Sequence, residues 1–273
     1  MLTDTLCASI APDGATLLHL RKGWRTRLLD KWQGVCEPVR SQEPWRAGLE
    51  QLGGLLKQSG RRLPLTVVLS NRLARYRIVP APRPFMADKD VEALLRHSFR
   101  EVYGEAAERW SMRANPLPGR DTVVGCAVDT ALLDELKGLC SSLSIPLASA
   151  QPDFMTGFNQ ARKLVRRKAV CFVQIEPGHC VLGLIRDGAW QSINAVAVGT
   201  HWHEELPSMV RREMLVAGWE GISPEIVLSA PDRQPRVLLP DASDWVLHYV
   251  APKSASGFVP GKDQPFAMAL RGA

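Results

Sequence analysis

The chain has 273 residues, of which 45% are apolar and 23% charged, with a formal net charge of +6. This composition is typical of a globular protein and supplies enough apolar surface for one large domain or two ordinary ones. It argues against a membrane-spanning class, because no run approaches the roughly 18 apolar residues that a span needs, and the N-terminus lacks the pattern of a secretory signal. The six cysteines form no CxxC pair, which argues against a metal or disulfide framework and favours a reducing cytoplasm.

The positive charge is unevenly distributed along the sequence. Residues 21–120 hold 20 Lys and Arg against 10 Asp and Glu, a balance of +10, whereas the remainder holds 14 against 18. An excess of this kind suits an acidic partner or an anionic membrane surface, and it is equally compatible with a solvated arginine-rich face. Nucleic-acid binding is less favoured, because no series of stacking aromatic residues accompanies the charge.

The first half of the chain alternates between strand and helix signals. LCASI and ATLLHLR flank the turn Pro12-Asp13-Gly14 and predict a β-hairpin, followed by a third strand near 24–29. PWRAGLEQLGGLLKQSG has helical spacing, and PLTVVLSN and LARYRIVPAP read as strands. A helix is predicted in ADKDVEALLRHSFREVYG, strands in RWSMRANPL and DTVVGCAV, and a helix in ALLDELKGLCSSL.

The second half repeats this order. The strand IPLASAQ leads into a helix that begins at Asp153, and VCFVQIEPGHCVLGLIRDGAWQSINAVAVG predicts three consecutive strands. A helix in HEELPSMVRREMLVAG, the strand PEIVLSA, a strand near 245–250 and a closing helix in PFAMALRG follow. A meander with helices, followed by a second meander with helices, predicts an α/β protein with two similar lobes, each with a mixed sheet and helices.

Four passages resemble the actin-like assembly proteins of type IV pili and type II secretion, namely the PilM, GspL cytoplasmic-domain and MshI family. They are VVLSNRLARYRIVPAP, FREVYGEAAERWSMRANP, SIPLASAQPDFMTGFNQAR and PFAMALRG. The resemblance implies an actin-like (ribonuclease H-like) ATPase fold. It places one lobe at 1–150, with an inserted subdomain at about 84–128, and the other at 151–273, with the last helix (about 264–272) packing back.

An ATPase of this fold holds the phosphates on two β-turns and Mg²⁺ on a carboxylate after each leading strand. The first turn runs from Ser9 through Pro12, Asp13 and Gly14. Where the family carries Asp-Ile-Gly, this chain carries Ser-Ile-Ala, so the carboxylate is missing. Pro12 also removes a backbone donor from the turn.

The second and third turns depart from the family pattern in the same direction. Asp-Ile-Gly is replaced by Gln174-Ile175-Glu176 before Gly178, so a negative charge replaces the glycine. The third turn lacks the expected Gly-Gly after Ser229 and continues into Ala230-Pro231. The three departures together predict a degenerate nucleotide cleft, with Glu176 as a displaced Mg²⁺ ligand the alternative.

Two further groups of residues qualify as candidate sites. His201 and His203, followed by Glu204 and Glu205, could form a metal pair, but surface histidines without a metal are the favoured interpretation. A second group of alternating arginines indicates a charged strand, which could be an edge that accepts a peptide or one that merely resists aggregation. These arginines are Arg72, Arg75 and Arg77.

The sequence therefore favours a non-catalytic cytoplasmic scaffold at the inner face of the inner membrane, in a pilus or secretion assembly platform. It would bind the cytoplasmic tail of a membrane protein, and an assembly ATPase could be a second partner. We expect no catalytic residue, no cofactor, no metal and no nucleic acid, with the membrane reached only through a partner. The alternative is a divergent actin-like ATPase or sugar-kinase-like phosphotransferase, which would use ATP and Mg²⁺.

Overall fold

A computed structural model describes most of the chain, namely residues 2–38, 43–80, 88–115, 122–166, 168–230, 245–251 and 253–273. The strands are β1 (Thr3–Ala11), β2 (Gly14–Lys22), β3 (Arg27–Val35), β4 (Leu65–Leu69), β5 (Ala74–Pro80), β6 (Trp110–Asn115), β7 (Thr122–Asp129), β8 (Leu147–Pro152), β9 (Ala169–Glu176), β10 (His179–Arg186), β11 (Ala189–Ala197), β12 (Glu225–Ser229) and β13 (Val246–Tyr249). The α-helices are α1 (Arg46–Ser59), α2 (Asp88–Tyr103), α3 (Thr130–Ser142), α4 (Asp153–Ala161), α5 (Trp202–Val216) and α6 (Ala267–Arg271).

The chain divides into two compact units that are discontinuous in sequence. The first consists of Met1–Ala74, Val128–Gly157 and Pro252–Ala273, and the second of Arg75–Ala127 and Phe158–Ala251. The sequence predicted a single division near residue 150. The sequence also placed the last helix against the rest of the chain, and the closing segment does belong to the first unit, whereas the segment around β5 to β7 belongs to the second.

The first unit is built on a five-stranded sheet in the order β3-β2-β1-β4-β8. β1, β2 and β3 form an antiparallel meander, and β4 and β8 run parallel to β1. The predicted hairpin around Pro12-Asp13-Gly14 is confirmed, with Ala11 opposite Gly14. β1 and β2 are almost entirely buried, as expected for strands in the middle of a covered sheet.

The closing segment packs on this sheet. Phe266, Ala269 and Leu270 form an apolar cluster with Cys7 of β1 and Leu18 of β2. Burial raises the pKa of the Cys7 thiol to about 11, so this cysteine acts as a small apolar side chain, as predicted. The apolar spacing of PFAMALRG therefore encodes the surface by which the closing helix attaches to the first unit.

The second unit repeats the plan of the first sheet. Its strand order is β11-β10-β9-β12-β13, with an antiparallel meander β9-β10-β11 and with β12 and β13 parallel to β9. Leu206 and Val210 of α5 pack against buried residues of the sheet, including Val173, Leu182 and Ile226. The predicted duplication of a meander with helices, with a mixed sheet in each half, is thus confirmed.

The second unit also contains a three-stranded sheet in the order β5-β7-β6. Leu95 and Phe99 of α2 are buried on it, and Phe99 lies 6.3 Å from the Trp110 ring centroid at right angles. The sequence placed an inserted subdomain at about 84–128, whereas this sheet also includes β5, which precedes that range. Within the described part of the chain, none of the helices has the length and apolar character that a membrane span requires.

Candidate functional site

The first predicted phosphate turn connects β1 to β2. The Ser9 hydroxyl is buried and lies 2.6 Å from the Thr16 hydroxyl on the neighbouring strand, so it is occupied within the sheet. Gly14 has a φ of +152°, and a Cβ there would lie 2.3 Å from the Gly34 carbonyl oxygen of β3. The glycine of this turn is therefore required by contact with the adjacent strand, whether or not a phosphate is bound.

Asp13 at the tip of this turn forms an ion pair with Arg72. The Arg72 Nη1 donates to Asp13 Oδ2 at 2.7 Å, and both side chains are partly exposed. Arg72 lies in the single 3₁₀ turn Asn71–Leu73, before β5 begins. The prediction that Arg72 belongs to a charged strand with Arg75 and Arg77 was therefore wrong.

The backbone carbonyls of the first turn are also occupied. The Cys36 N–H donates to the Asp13 carbonyl at 3.0 Å. On the other side, α1 approaches so closely that a Cβ at Gly48 would lie 2.1 Å from the Ala11 carbonyl oxygen. Burial raises the pKa of the Cys36 thiol, and the negative charge of Asp13 adds to this effect. The turn is thus packed against α1 and the end of β3, and it carries a carboxylate that is already paired.

A second polar group lies at the same edge of the sheet. The carboxyl ends of the parallel strands β1, β4 and β8 meet at one edge, which is where ligands bind in open α/β sheets. The Asn71 side-chain oxygen, just after β4, accepts from the Phe154 N–H at 2.8 Å and so caps α4. Asp153, just after β8, is completely buried and forms an ion pair with Arg271 of α6.

Sequence reasoning missed this buried pair. Asp153 does begin α4, as predicted. The sequence indicated only this position at the start of the helix. In the structure the Asp153 carboxylate contacts Arg271, 118 positions further along, and the Phe154 N–H donates to the Asn71 side chain. The signal that could have indicated the pair was Arg271, the single charged residue in an otherwise apolar closing helix.

The second predicted turn connects β9 to β10 through Pro177 and Gly178. Gly178 adopts a φ of +74°, in the left-handed region that favours glycine. Gln174 and Glu176 are both buried, and Gln174 lies opposite Ser229 in the parallel pairing of β9 and β12. The structure thus brings Gln174 and Ser229 together at neighbouring strand ends. The proline of the third turn, Pro231, lies outside the described residues.

The two remaining predicted arginines lie on β5. Arg75 and Arg77 are partly buried, and in the described part of the chain β5 is an outer strand of its three-stranded sheet. Among the described residues β5 thus occupies the edge position that the sequence suggested, and peptide binding by this strand stays a prediction.

The candidate metal pair lies at the start of α5. Glu204 Oε1 is 3.8 Å from His201 Nδ1 and 3.7 Å from His203 Nε2. His201 and Glu204 are strongly exposed, and the positive end of the helix dipole opposes a cation at this position. The prediction for these residues is still that they are surface histidines without a metal.

Comparison with solved structures identifies the fold. The chain superimposes on a structure of the PilM-PilN type IV pilus biogenesis complex, with a TM-score of 0.70 and 15% identity over 98% of this chain and 97% of the other. It also matches the cytoplasmic domain of EpsL, an inner-membrane component of the type II secretion system of Vibrio cholerae, with a TM-score of 0.58, 15% identity and coverage of 98% and 93%.

A third similar structure is a Bacteroides thetaiotaomicron protein with an actin-like ATPase fold and unknown function. Its TM-score is 0.61, with 10% identity over 98% of this chain and 95% of the other. No family model and no curated protein matches the sequence. The chain therefore has the actin-like ATPase fold that its sequence resemblance implied, and its two five-stranded sheets correspond to the two lobes of that fold.

Proposed function

We propose that this protein is a non-catalytic scaffold of a type IV pilus or type II secretion-like assembly platform. It acts in the cytoplasm at the inner face of the inner membrane and binds the cytoplasmic tail of a membrane protein. The fold is that of chains taken from a pilus biogenesis complex and from a secretion-system component, and each match covers nearly the whole chain. An assembly ATPase is a second candidate partner.

The observation that carries the non-catalytic part of the proposal is the pairing of carboxylates with arginines. Mg²⁺ in a nucleotide site needs carboxylate oxygens that can take a hydrated cation. In the first unit, Asp13 and Asp153 follow parallel strands at the ligand-binding edge, and each forms an ion pair with an arginine. Ser9 offers a neutral hydroxyl that is shared with Thr16. These contacts support the proposal, because the polar groups at this edge bind each other and are not available to a hydrated Mg²⁺ ion.

We expect Mg·ATP to leave the stability of the protein unchanged. A ligand that binds only the native state must raise the apparent stability, by about 2.7 kcal/mol at a hundredfold excess over its Kd. Thermal unfolding and isothermal titration with Mg·ATP measure this directly. Binding heat that disappears in Glu176→Ala would contradict the proposal and support the alternative, an ATPase or phosphotransferase with a displaced Mg²⁺ ligand.

Partner binding is tested by affinity capture from cells of the source organism. We expect to recover a protein with a membrane span and a short cytoplasmic tail, and to reproduce the interaction with a synthetic peptide of that tail. The partly exposed arginines of the edge strand β5 are the candidate contacts, so Arg75→Glu with Arg77→Glu should weaken peptide binding at least about tenfold if two charge contacts are lost.

The matched control carries the same change in net charge on helices of the same unit. Lys89→Glu with Arg212→Glu replaces two exposed cations of α2 and α5. Equal loss of binding in both double variants would show a nonspecific charge effect and remove β5 as the binding site. Capture of soluble enzymes alone, with no envelope component, would contradict the scaffold role itself.

A further inference from the structure

The turn between β2 and β3 carries a tryptophan that is not packed in the protein core. Trp24 is 100% exposed, although an indole is among the side chains that gain most from burial. Leu2, itself 73% exposed, lies beside this turn, since a Cβ at Gly23 would be 2.7 Å from Leu2 Cδ2. Two large apolar side chains are therefore presented to solvent at one end of the first sheet.

Basic side chains surround this apolar pair. Lys22, Arg25 and Arg27 are exposed, and within the described residues none of them forms an ion pair. Lys253 lies close enough that the charge of Lys22 helps to lower its pKa, after the larger effect of burial. The turn is thus a concentrated positive region.

The nearby acidic residue does not neutralise these cations. Asp4 forms a two-point ion pair with Arg21, at 2.7 and 3.0 Å, and the hydrogen bond from Arg21 holds the pKa of Asp4 at about 2. Its charge is therefore matched by Arg21. Lys22, Arg25 and Arg27 can therefore bind an anion from outside the protein.

The combination of one apolar tip with a basic rim favours a lipid surface over the other anionic partners. Tryptophan concentrates at the membrane–water interface, where its ring lies among the headgroups and its N–H stays hydrated. Lys and Arg at the same level are attracted by anionic headgroups. An acidic peptide would use the cations alone, and single-stranded nucleic acid is held by several stacking aromatics, whereas this turn has one.

We propose that the β2–β3 turn docks on an anionic lipid surface, with Trp24 and Leu2 entering the headgroup layer and Lys22, Arg25 and Arg27 contacting lipid phosphates. This contact would give the protein an attachment to the membrane of its own, in addition to any membrane-protein partner. It is independent of the identity of that partner, because it requires only the first unit and lipid.

The test is flotation of the purified full chain with vesicles of phosphatidylethanolamine with and without phosphatidylglycerol. We expect binding only to the anionic vesicles, weakening as salt is raised. Trp24→Ser should lower the partition coefficient at least about tenfold through lost apolar burial. Lys22→Glu with Arg25→Glu should lower it by about fivefold or more for each charge removed.

Lys57→Glu with Lys137→Glu, on the exposed surfaces of α1 and α3, is the matched charge control and should change the partition coefficient less than about twofold. Because Trp24 is fully exposed, its replacement should leave thermal unfolding unchanged, which separates lost binding from lost folding. The proposal is overturned if the wild-type protein fails to bind anionic vesicles, or if Trp24→Ser binds as well as wild type. If an acidic peptide or an oligonucleotide displaced the protein from the vesicles as fully as the charge reversals do, and Trp24→Ser had no effect, the turn would be assigned to that competing anion instead of lipid.

Discussion

Replacement of Arg271 by methionine should lower the free energy of unfolding by about 3–5 kcal/mol, because it leaves a buried carboxylate without its countercharge. Asp153 is completely buried, and Arg271 is nearly so. The methionine keeps the apolar stem of the side chain, so most of the loss comes from the uncompensated charge. Chemical denaturation of wild type and variant at neutral pH measures the difference.

Two comparisons isolate the buried charge as the cause. Arg46→Met removes an exposed arginine that contacts Glu43 and Glu135, and such surface pairs contribute at most about 1 kcal/mol. Asp153→Asn combined with Arg271→Met removes both charges and should recover much of the stability. If Arg271→Met were no more damaging than Arg46→Met, the Asp153–Arg271 pair would not be a main attachment of α6 to α4.

This pair links three features that the sequence presents separately. The apolar face of α6 attaches to β1 and β2, while its arginine reaches the start of α4. The closing segment is therefore attached to the first unit by two kinds of contact, an apolar one to the sheet and an ionic one to the start of α4. An actin-like ATPase would keep the carboxylates at that edge available to Mg²⁺. In this protein Asp13 and Asp153 are paired with arginines, and this is the basis of the proposal that it acts as a scaffold.

Local patterns were sufficient to predict the elements and their duplication. The turns Pro12-Asp13-Gly14 and Pro177-Gly178 lie between apolar runs of strand length, and both hairpins formed where these signals predicted. The order of meander and helices follows from the same local signals in each half, whereas the parallel pairing of the later strands is seen only in the structure. The elements could be predicted because strand and turn preferences act over a few residues, whereas the actin-like fold was implied by the family resemblance.

The side-chain pairs of the candidate site could not be predicted in this way. Asp13 and Arg72 are 59 positions apart, Asn71 and the Phe154 N–H 83 positions apart, and the buried pair of α4 and α6 118 positions apart. No periodicity relates such residues, because their contact depends on which strand ends meet in the sheet. Sequence patterns predicted the turns at the strand ends, but they gave no information on which polar side chains at these turns form pairs with each other.

The wrong assignment of Arg72 to a strand has a local cause. The alternation of Leu73, Arg75 and Arg77 predicts a strand, and the charge of Arg72 alone favoured extending that strand back to it. The structure instead places Ser70 at the start of a 3₁₀ turn, where its hydroxyl accepts from the Arg72 N–H at 3.2 Å. A serine followed by asparagine after a buried strand is typical of such a turn, and this signal outweighs the charge pattern.

Gly48→Ala should destabilise the protein by about 1–3 kcal/mol or more, because the added methyl would meet the backbone of the first turn. The Cβ would lie 2.1 Å from the Ala11 carbonyl oxygen and 3.1 Å from the Gly14 carbonyl oxygen, and neither atom can move without distorting the β1–β2 hairpin. The helix would have to shift away from the turn that it covers. Chemical denaturation gives the magnitude, and hydrogen exchange at the hairpin amides locates the disturbance.

Gly54 in the same helix provides a control of opposite sign. A Cβ at Gly54 meets nothing within 4 Å, so Gly54→Ala should stabilise the protein by about 1 kcal/mol through helix propensity alone. If both variants were stabilised equally, α1 would not be in close contact with the first turn, and that turn would be open to a ligand on this side. If Gly48→Ala alone is destabilised, the turn is enclosed by its own helix, and its hairpin shape serves the packing of the first unit.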